Sequence, residues 1–506
     1  MTLVRSLPLL VLAALSFAPE IDPAGLKNEV ESYVQANQKK ILTELMEILS
    51  IPDLASDSQN IRRKAEKLRQ MLAARGLFAE LLETEGNPLV YGELTVPGAR
   101  RTILFYFHYD GQPVDPTRWM QEDPFRPILR DGKLEDGARE IDLVALDHFE
   151  RDWRIYARSA SDDTSPIVAV LTALDAIRSV GAQPSSNLRI VLDGEEEAGS
   201  PSLIPAIDKY RDKLQADLML ILDGPIHPSR RPTLVFGARG ILSLDLTVYG
   251  PKFPLHSGHY GNWAPNPAMR LAQLLASMKD EKGRVVIEGF YDGIDLTEED
   301  RRVLESVPDD HEALMELFGF SEPDAVGGSL QEAIQYPSLN VRGLRSAWVG
   351  DEARTIVPDR AVAAIDVRLV AETKGEDLYE KILAHIRGQG YHVVDEDPDD
   401  ATRARHSRIV KVAWSAEEAF RTPVTHSQAA PLIAALAGVW GEDPVVIRTM
   451  GGTVPISPFI LSLGFPAVGV PVVNFDNNQH SPNENLRLGH FFDGIVTFAA
   501  LLTLAP

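Results

Sequence analysis

The chain has 506 residues, too many for one compact core, so two domains or one domain with a large insertion are expected. Hydrophobic residues make up 44% and charged residues 24%, a globular balance that excludes wholesale disorder. A formal net charge of -23 sets the chain against nucleic acid, and the lack of cysteine excludes disulfides, zinc ribbons and thiol nucleophiles. Carboxylates gathered in one cleft would still make a cation site, and any zinc would need His, Asp and Glu as ligands.

At the N-terminus, Arg5 precedes an apolar run from Leu7 to Phe17, broken by Pro8 and Ser16. Residues 1–18 read as a secretory signal, too short to span a bilayer, and predict a periplasmic or secreted protein. Uncleaved, the same segment would act as a membrane anchor. Helical patterns follow over Leu26–Leu49 and Ile61–Arg75, the second stopped by Gly76.

From there strands and helices alternate. Thr102–Phe107 is an apolar strand leading into His108-Tyr109-Asp110, and Ile167–Val180 is an apolar helix stopped by Gly181. Leu188–Leu192 leads into Asp193-Gly194-Glu195-Glu196-Glu197, Leu218–Leu222 into Asp223, and Pro466–Val473 towards His480. Such βα alternation predicts an α/β fold with a mostly parallel sheet, whose ligands bind beyond the carboxyl ends of its strands. The His and acidic clusters stand at those ends. Longer alternating strands at Ile241–Tyr249 and Thr355–Val370, with helices at Pro265–Met278 and Gly375–Arg387, suggest an inserted α+β domain. The expected division is 25–237 plus 421–506 for one domain and 238–420 for the insertion, with 135–153 a charged surface insertion.

A pair of metal ions needs several carboxylates and imidazoles, one carboxylate bridging both. His108, Asp162, Glu197, Asp223 and His480 could supply two His and three carboxylates, with Glu196 placed as a general base. The motifs HYDGQP (108–113), PFRPILRDGKL (124–134), ARSASDD (157–163), DGEEEAGS (193–200), GGTVP (451–455) and HSPNE (480–484) sharpen this reading. In that order they resemble the motifs of the co-catalytic zinc metallopeptidases, the family of carnosinases, aminoacylases, glutamate carboxypeptidase and succinyl-diaminopimelate desuccinylase.

The resemblance implies that His108 and Asp223 bind one metal, Glu197 and His480 the other, and Asp162 both. It implies that Asp110 orients His108, and that Glu196 moves a proton from the attacking water to the leaving amine. LHSG (255–258) resembles the lid motif whose His, here His256, reaches the partner subunit's site and steadies the oxyanion; this implies a homodimer formed through a lid and dimerisation domain. Arg368 stands where the family holds a substrate carboxylate, and Gly452 and Thr453 would line the pocket. The cofactors implied are two divalent ions, zinc by preference, although manganese or cobalt suits the same donors.

Two features depart from the family pattern. Ala157 and Ser159 replace the glycines of G-R-G, and Thr164-Ser165 replaces Lys-Gly after the paired aspartates. His426 and His490 match no motif and read as structural. The expected activity is cleavage of an amide bond in a dipeptide or short peptide. An N-acyl-amino-acid deacylase would use the same groups, and the altered 157–165 loop alone favours a non-catalytic exported binding protein.

Overall fold

The computed structural model describes residues 22–146 and 148–504. The predicted signal segment therefore lies outside the described residues. In chain order come helices α1 (Pro23–Leu49) and α2 (Ser58–Ala74), strands β1 (Phe78–Leu82), β2 (Leu89–Leu94) and β3 (Thr102–His108), and helix α3 (Thr164–Ser179). Strand β4 (Asn187–Asp193), helix α4 (Leu203–Leu214) and strands β5 (Leu218–Ile221) and β6 (Thr233–Val235) follow. Next come β7 (Gly240–Tyr249), α5 (Pro267–Ala276), β8 (Ser338–Arg345), β9 (Arg360–Leu369), α6 (Gly375–Gly388), β10 (His392–Val394) and β11 (Ile409–Glu417). The chain closes with α7 (Ala429–Trp440), β12 (Val445–Ile447), β13 (Ala467–Gly469) and α8 (Leu488–Leu502).

The strands form two principal sheets. One has eight strands in the order β1-β2-β4-β3-β5-β13-β6-β12, with β4, β3, β5 and β13 mutually parallel. Its strands come from residues 78–94, 102–108, 187–235 and 445–469. The other has five strands in the order β8-β9-β7-β11-β10, antiparallel except for the last pair. All of its strands come from residues 240–417.

A parallel sheet must be covered on both faces, and β3 carries apolar side chains to both. Phe105 and Phe107 enter the core shared with α1, α3 and α8, while Leu104 and Tyr106 enter the core shared with α4 and Phe459. Helix α3 is buried on nearly every side, which explains its almost uninterrupted apolar sequence. The five-stranded sheet buries one face: Leu242, Leu244, Leu246 and Val248 of β7 pack with α5 and α6. Its other face is half-exposed.

Two expected strands are shorter than their sequence pattern. The Pro466–Val473 run is a continuous strand only over β13, Pro471 having no amide to continue the ladder, and pairs again in a single bridge of Val473 with Pro225. Thr355–Val370 divides at Pro358-Asp359 into Ile356–Val357 and β9. The charged 135–153 segment is anchored to the main core. Ile141, Leu143 and Leu146 pack on the main core, and Lys39 of α1 donates to the Val144 carbonyl at 2.6 Å.

One buried ion pair ties α2 to the site loops. The Lys64 ammonium donates to Asp53 and, at 2.7 Å, to Thr164 Oγ1, with both charged side chains closed to solvent. The Asp53 carbonyl accepts from the Gly111 amide at 3.0 Å. A Cβ at residue 111 would stand 2.3 Å from Ser159 Oγ and 2.7 Å from Asp53 Oδ1, so any larger residue would displace these side chains. Removing one partner of a buried pair strands the other charge. Lys64→Met should therefore lower the unfolding free energy by about 3–5 kcal/mol in urea titration. A loss under about 1 kcal/mol would show that Asp53 finds another partner.

Candidate metal centre

The carboxyl ends of β3, β4 and β5 lie side by side, and each delivers a site residue. His108 ends β3, the 193–197 turn leaves β4, and Asp223 follows β5 by two residues. Asp162 precedes α3, across a cis peptide to Asp163. His480 comes from the loop after β13 and is about half exposed. Sequence-distant donors thus converge at one edge of one sheet.

Asp162 stands at the centre. His108 Nε2 lies 2.9 Å from its Oδ1, and His480 Nε2 lies 3.1 Å from its Oδ2. Asp223 Oδ2 lies 4.0 Å from His108 Nε2, and Glu197 Oε2 lies 3.3 Å from His480 Nε2. Two donor triads result, His108-Asp162-Asp223 and Asp162-Glu197-His480, sharing one carboxylate; Glu196 and Glu197 also approach His108. The geometry brings together all five predicted ligands and Glu196.

The surrounding charge explains what the cluster needs. Burial pushes the Glu196 carboxyl well up, and the neighbouring Asp223 and Glu197 carboxylates push it further, against the pull of His108. Burial likewise raises Glu197 to about 7 and Asp223 to about 6, each helped by Asp162. Asp162 itself is held low: burial works to raise it, but hydrogen bonds from His108 and His480 prevail. Such crowded carboxylates call for cations, and this N/O donor set fits divalent ions of the zinc, manganese or cobalt type. No cysteine competes for them.

Two buried carboxylates act as clamps. His108 Nδ1 lies 3.0 Å from the Asp110 carbonyl oxygen and 3.4 Å from its Oδ1. The Asp110 carboxylate also accepts from the Glu196 and Glu197 amides at 3.0 Å each, so it fixes both the imidazole and the acidic turn. Glu484 was not singled out by sequence reasoning, although HSPNE contains it. Its Oε1 accepts from the Ser161 amide and hydroxyl and the Asp162 amide, and its Oε2 from Arg158 Nη1 and the Ser159 amide, all at 2.8–3.0 Å. Ser159, where a family glycine is replaced, has φ +62°. That left-handed backbone costs a serine about 1–2 kcal/mol, and the Glu484 contact holds it. Gln112 also escaped the sequence reading; it donates to Glu197 Oε2 at 2.6 Å.

The predicted substrate residues divide. Arg368 Nη1 donates to Thr453 Oγ1 at 2.7 Å, joining the five-stranded sheet to the 451–455 loop. Thr453 lines a cavity of about 180 Å³ that also touches Asp162, Glu196, Asp223 and His480. Gly452 presents its carbonyl to the Arg239 amide at 3.1 Å. His256 is exposed on the short strand Leu255–His256, its Nδ1 accepting from the Gly258 amide at 3.1 Å; within one chain it stands outside both triads. His490 is buried and pulled down to about 4 by burial and Arg487, away from the centre.

Residues 104–504 match the model of peptidase family M20/M25/M40, and the chain belongs to that family. It is 25% identical to the human Beta-Ala-His dipeptidase over 528 residues, covering 97% of this chain and 95% of the relative. It is also 25% identical to the Cys-Gly metallodipeptidase of Saccharomyces cerevisiae over 492 residues, with coverages of 93% and 96%. The crystal structure of an M20 family metallo-carboxypeptidase from Sulfolobus solfataricus superposes with TM-score 0.73 at 30% identity, covering 92% and 98%. Human carnosine dipeptidase 1 shares the fold with TM-score 0.70 at 22% identity, covering 94% and 98%.

These relatives correct one expectation. The yeast Cys-Gly metallodipeptidase is cytosolic, which contradicts the periplasmic or secreted destination read from residues 1–18. The leader-like pattern rests on composition alone, and a short apolar run is not specific to export.

Every partner of the Glu484 carboxylate is a donor, so an amide in its place would turn an NH2 group against N–H groups. Glu484→Gln should therefore weaken divalent-metal binding by about 10- to 100-fold in a chelator competition titration. Unchanged affinity would show that the 158–162 loop is held without this clamp.

Proposed function

We propose that this chain is a two-metal dipeptidase that hydrolyses the amide bond of a substrate with a free terminal carboxylate. The observation that carries this reading is the shared Asp162 carboxylate, flanked by two donor triads and by Glu196. His108 and Asp223 would hold one ion, Glu197 and His480 the other, and Asp162 both. Two bound divalent ions supply polarisation of the scissile carbonyl and acidification of the attacking water.

The chain's own residues do the rest. Glu196 sits on the turn fixed by Asp110 and is left outside this ligand set. Standing beside the donor cluster, its carboxylate can take a proton from water and return it to the departing amine. Arg368 and Thr453, joined at 2.7 Å, would hold the substrate carboxylate at the far side of the cavity. The dipeptidase names of the human and yeast relatives support the same substrate class.

The five-stranded unit acts as the lid, and a second copy of the chain completes the site. Support comes from β8, an edge strand with exposed Val341 and Leu344, which invites pairing with another copy. His256, solvent-facing and outside its own triads, would then reach the partner's oxyanion.

Glu196→Gln should retain two equivalents of zinc by elemental analysis while kcat on a dipeptide falls about 10²- to 10⁴-fold. Full activity would remove Glu196 as the base. His256→Ala should lower kcat by about 10²- to 10³-fold with the dimer intact by light scattering. Mixing the two inactive variants after dissociation should then restore activity, because one hybrid site has both residues. No recovery in verified heterodimers would confine His256 to its own chain.

A further inference from the structure

Arg239 stands between the two sheets, just after Gly237 and Ala238, which line the cavity beside the metal centre. Its amide donates to the carbonyls of Met450 and Gly452, at 3.3 and 3.1 Å, so it is fastened to the loop that carries Thr453. Its side chain is 5% exposed. One guanidinium nitrogen, Nη2, donates to the Tyr336 carbonyl at 2.7 Å, while Nε is buried without a partner.

The sheet register sets Arg239 near Arg368. Ile241 and Ser338 flank Arg368 on the neighbouring strands, and Arg239 and Tyr336 each precede one of them by two residues. The nearness is electrostatic as well: burial pulls the Arg239 guanidinium down to about 10, and Arg368 adds to the pull.

Among the described residues no carboxylate pairs with Arg239. Asp366 is the acid nearest to Arg368, at 3.9 Å, and it already accepts from Asn340 at 3.0 Å. Two adjacent guanidiniums therefore share one distant, engaged acid in a chain whose net charge is -23. A buried guanidinium stays charged, and leaving its donors unmet is costly unless an anion arrives.

We infer that Arg239 is a second carboxylate-binding residue, gripping the substrate's terminal carboxylate together with Arg368 and Thr453. This inference rests on the reading of Arg368 as the carboxylate anchor. Two planar forks around one carboxylate select for a free acid over an amide, because an amide would set its NH2 against guanidinium donors. The substrate class is thereby narrowed to peptides with an unblocked C-terminus.

The test compares a dipeptide with its C-terminal amide as substrates of the zinc-loaded wild type, Arg239→Met and Arg368→Met. In Arg239→Met, KM for the free dipeptide should rise about 10- to 100-fold with kcat little changed, and the amide should be nearly unaffected. Equal losses on both substrates would mark Arg239 as structural and overturn the inference, as would an intact preference for the acid. If Arg368→Met erases the preference and Arg239→Met does not, only this inference fails. If neither variant alters it, the anchor reading fails as well. Should Arg239→Met lose its zinc or its folded circular dichroism spectrum, Arg239→Lys carries the test. It keeps the charge without the fork, and the KM rise should again be confined to the free acid.

Discussion

The centre depends on one carboxylate having two jobs at once. Asp162 faces His108 with one oxygen and His480 with the other, so its plane must be fixed before any ion arrives. The backbone fixes it. Glu484 accepts the amides of residues 159, 161 and 162 and thereby sets the loop from which Asp162 projects. That carboxylate carries out of water the partners it needs to remain charged: Arg158 beside it and three amides pointing at it. Burial raises its proton affinity, and the donors oppose the shift. A loop held this way tolerates the loss of both family glycines, because the left-handed turn at Ser159 is secured from outside by hydrogen bonds.

The same logic applies to the replaced lysine. Where the family pattern has Lys, this chain has Thr164, and the ammonium beside that position comes from Lys64 of α2. The positive charge is kept near the loop while its covalent origin moves about a hundred residues upstream. Asp53, paired with it, also reaches the Gly111 amide in the HYDGQP turn. A single buried pair thus couples α2, the start of α3 and the turn carrying Asp110. This coupling accounts for an altered 157–165 segment that still presents Asp162 correctly, and it removes the one feature that favoured a non-catalytic binding protein.

The legible part of the site was the part written in strand ends. His108, Glu196, Glu197 and Asp223 follow short apolar runs, and parallel strands must end at one edge, so their convergence could be anticipated. His480 and Asp162 needed the motif resemblance, because no strand delivers either one directly. Glu484, Gln112 and Lys64 were not recovered, since their partners are backbone amides or residues distant in sequence. A Glu after Pro-Asn reads like any polar loop residue until the opposing amides are seen. Arg239 was hidden differently: GARG looks like a turn between strands, and nothing local reveals that a second arginine stands opposite. The destination failed for the converse reason, as composition suggested a leader that the relatives do not support.

Charge distribution joins these observations. The chain is strongly acidic, and its metal centre concentrates that excess where cations can meet it. Thr453 lines the same cavity, and behind it the sign reverses at Arg368, which donates to Thr453, and at the neighbouring Arg239. In the proposed reading, a peptide crossing from one end to the other would place its amide carbonyl against cations and its carboxylate against guanidiniums. Both ends attract electron-rich groups, so in that reading the spacing between them would set the length of the substrate. The Arg368–Thr453 contact ties the five-stranded sheet to the 451–455 loop that borders the cavity. In the proposed lid reading, length selection and closure would both depend on that one contact rather than on separate devices.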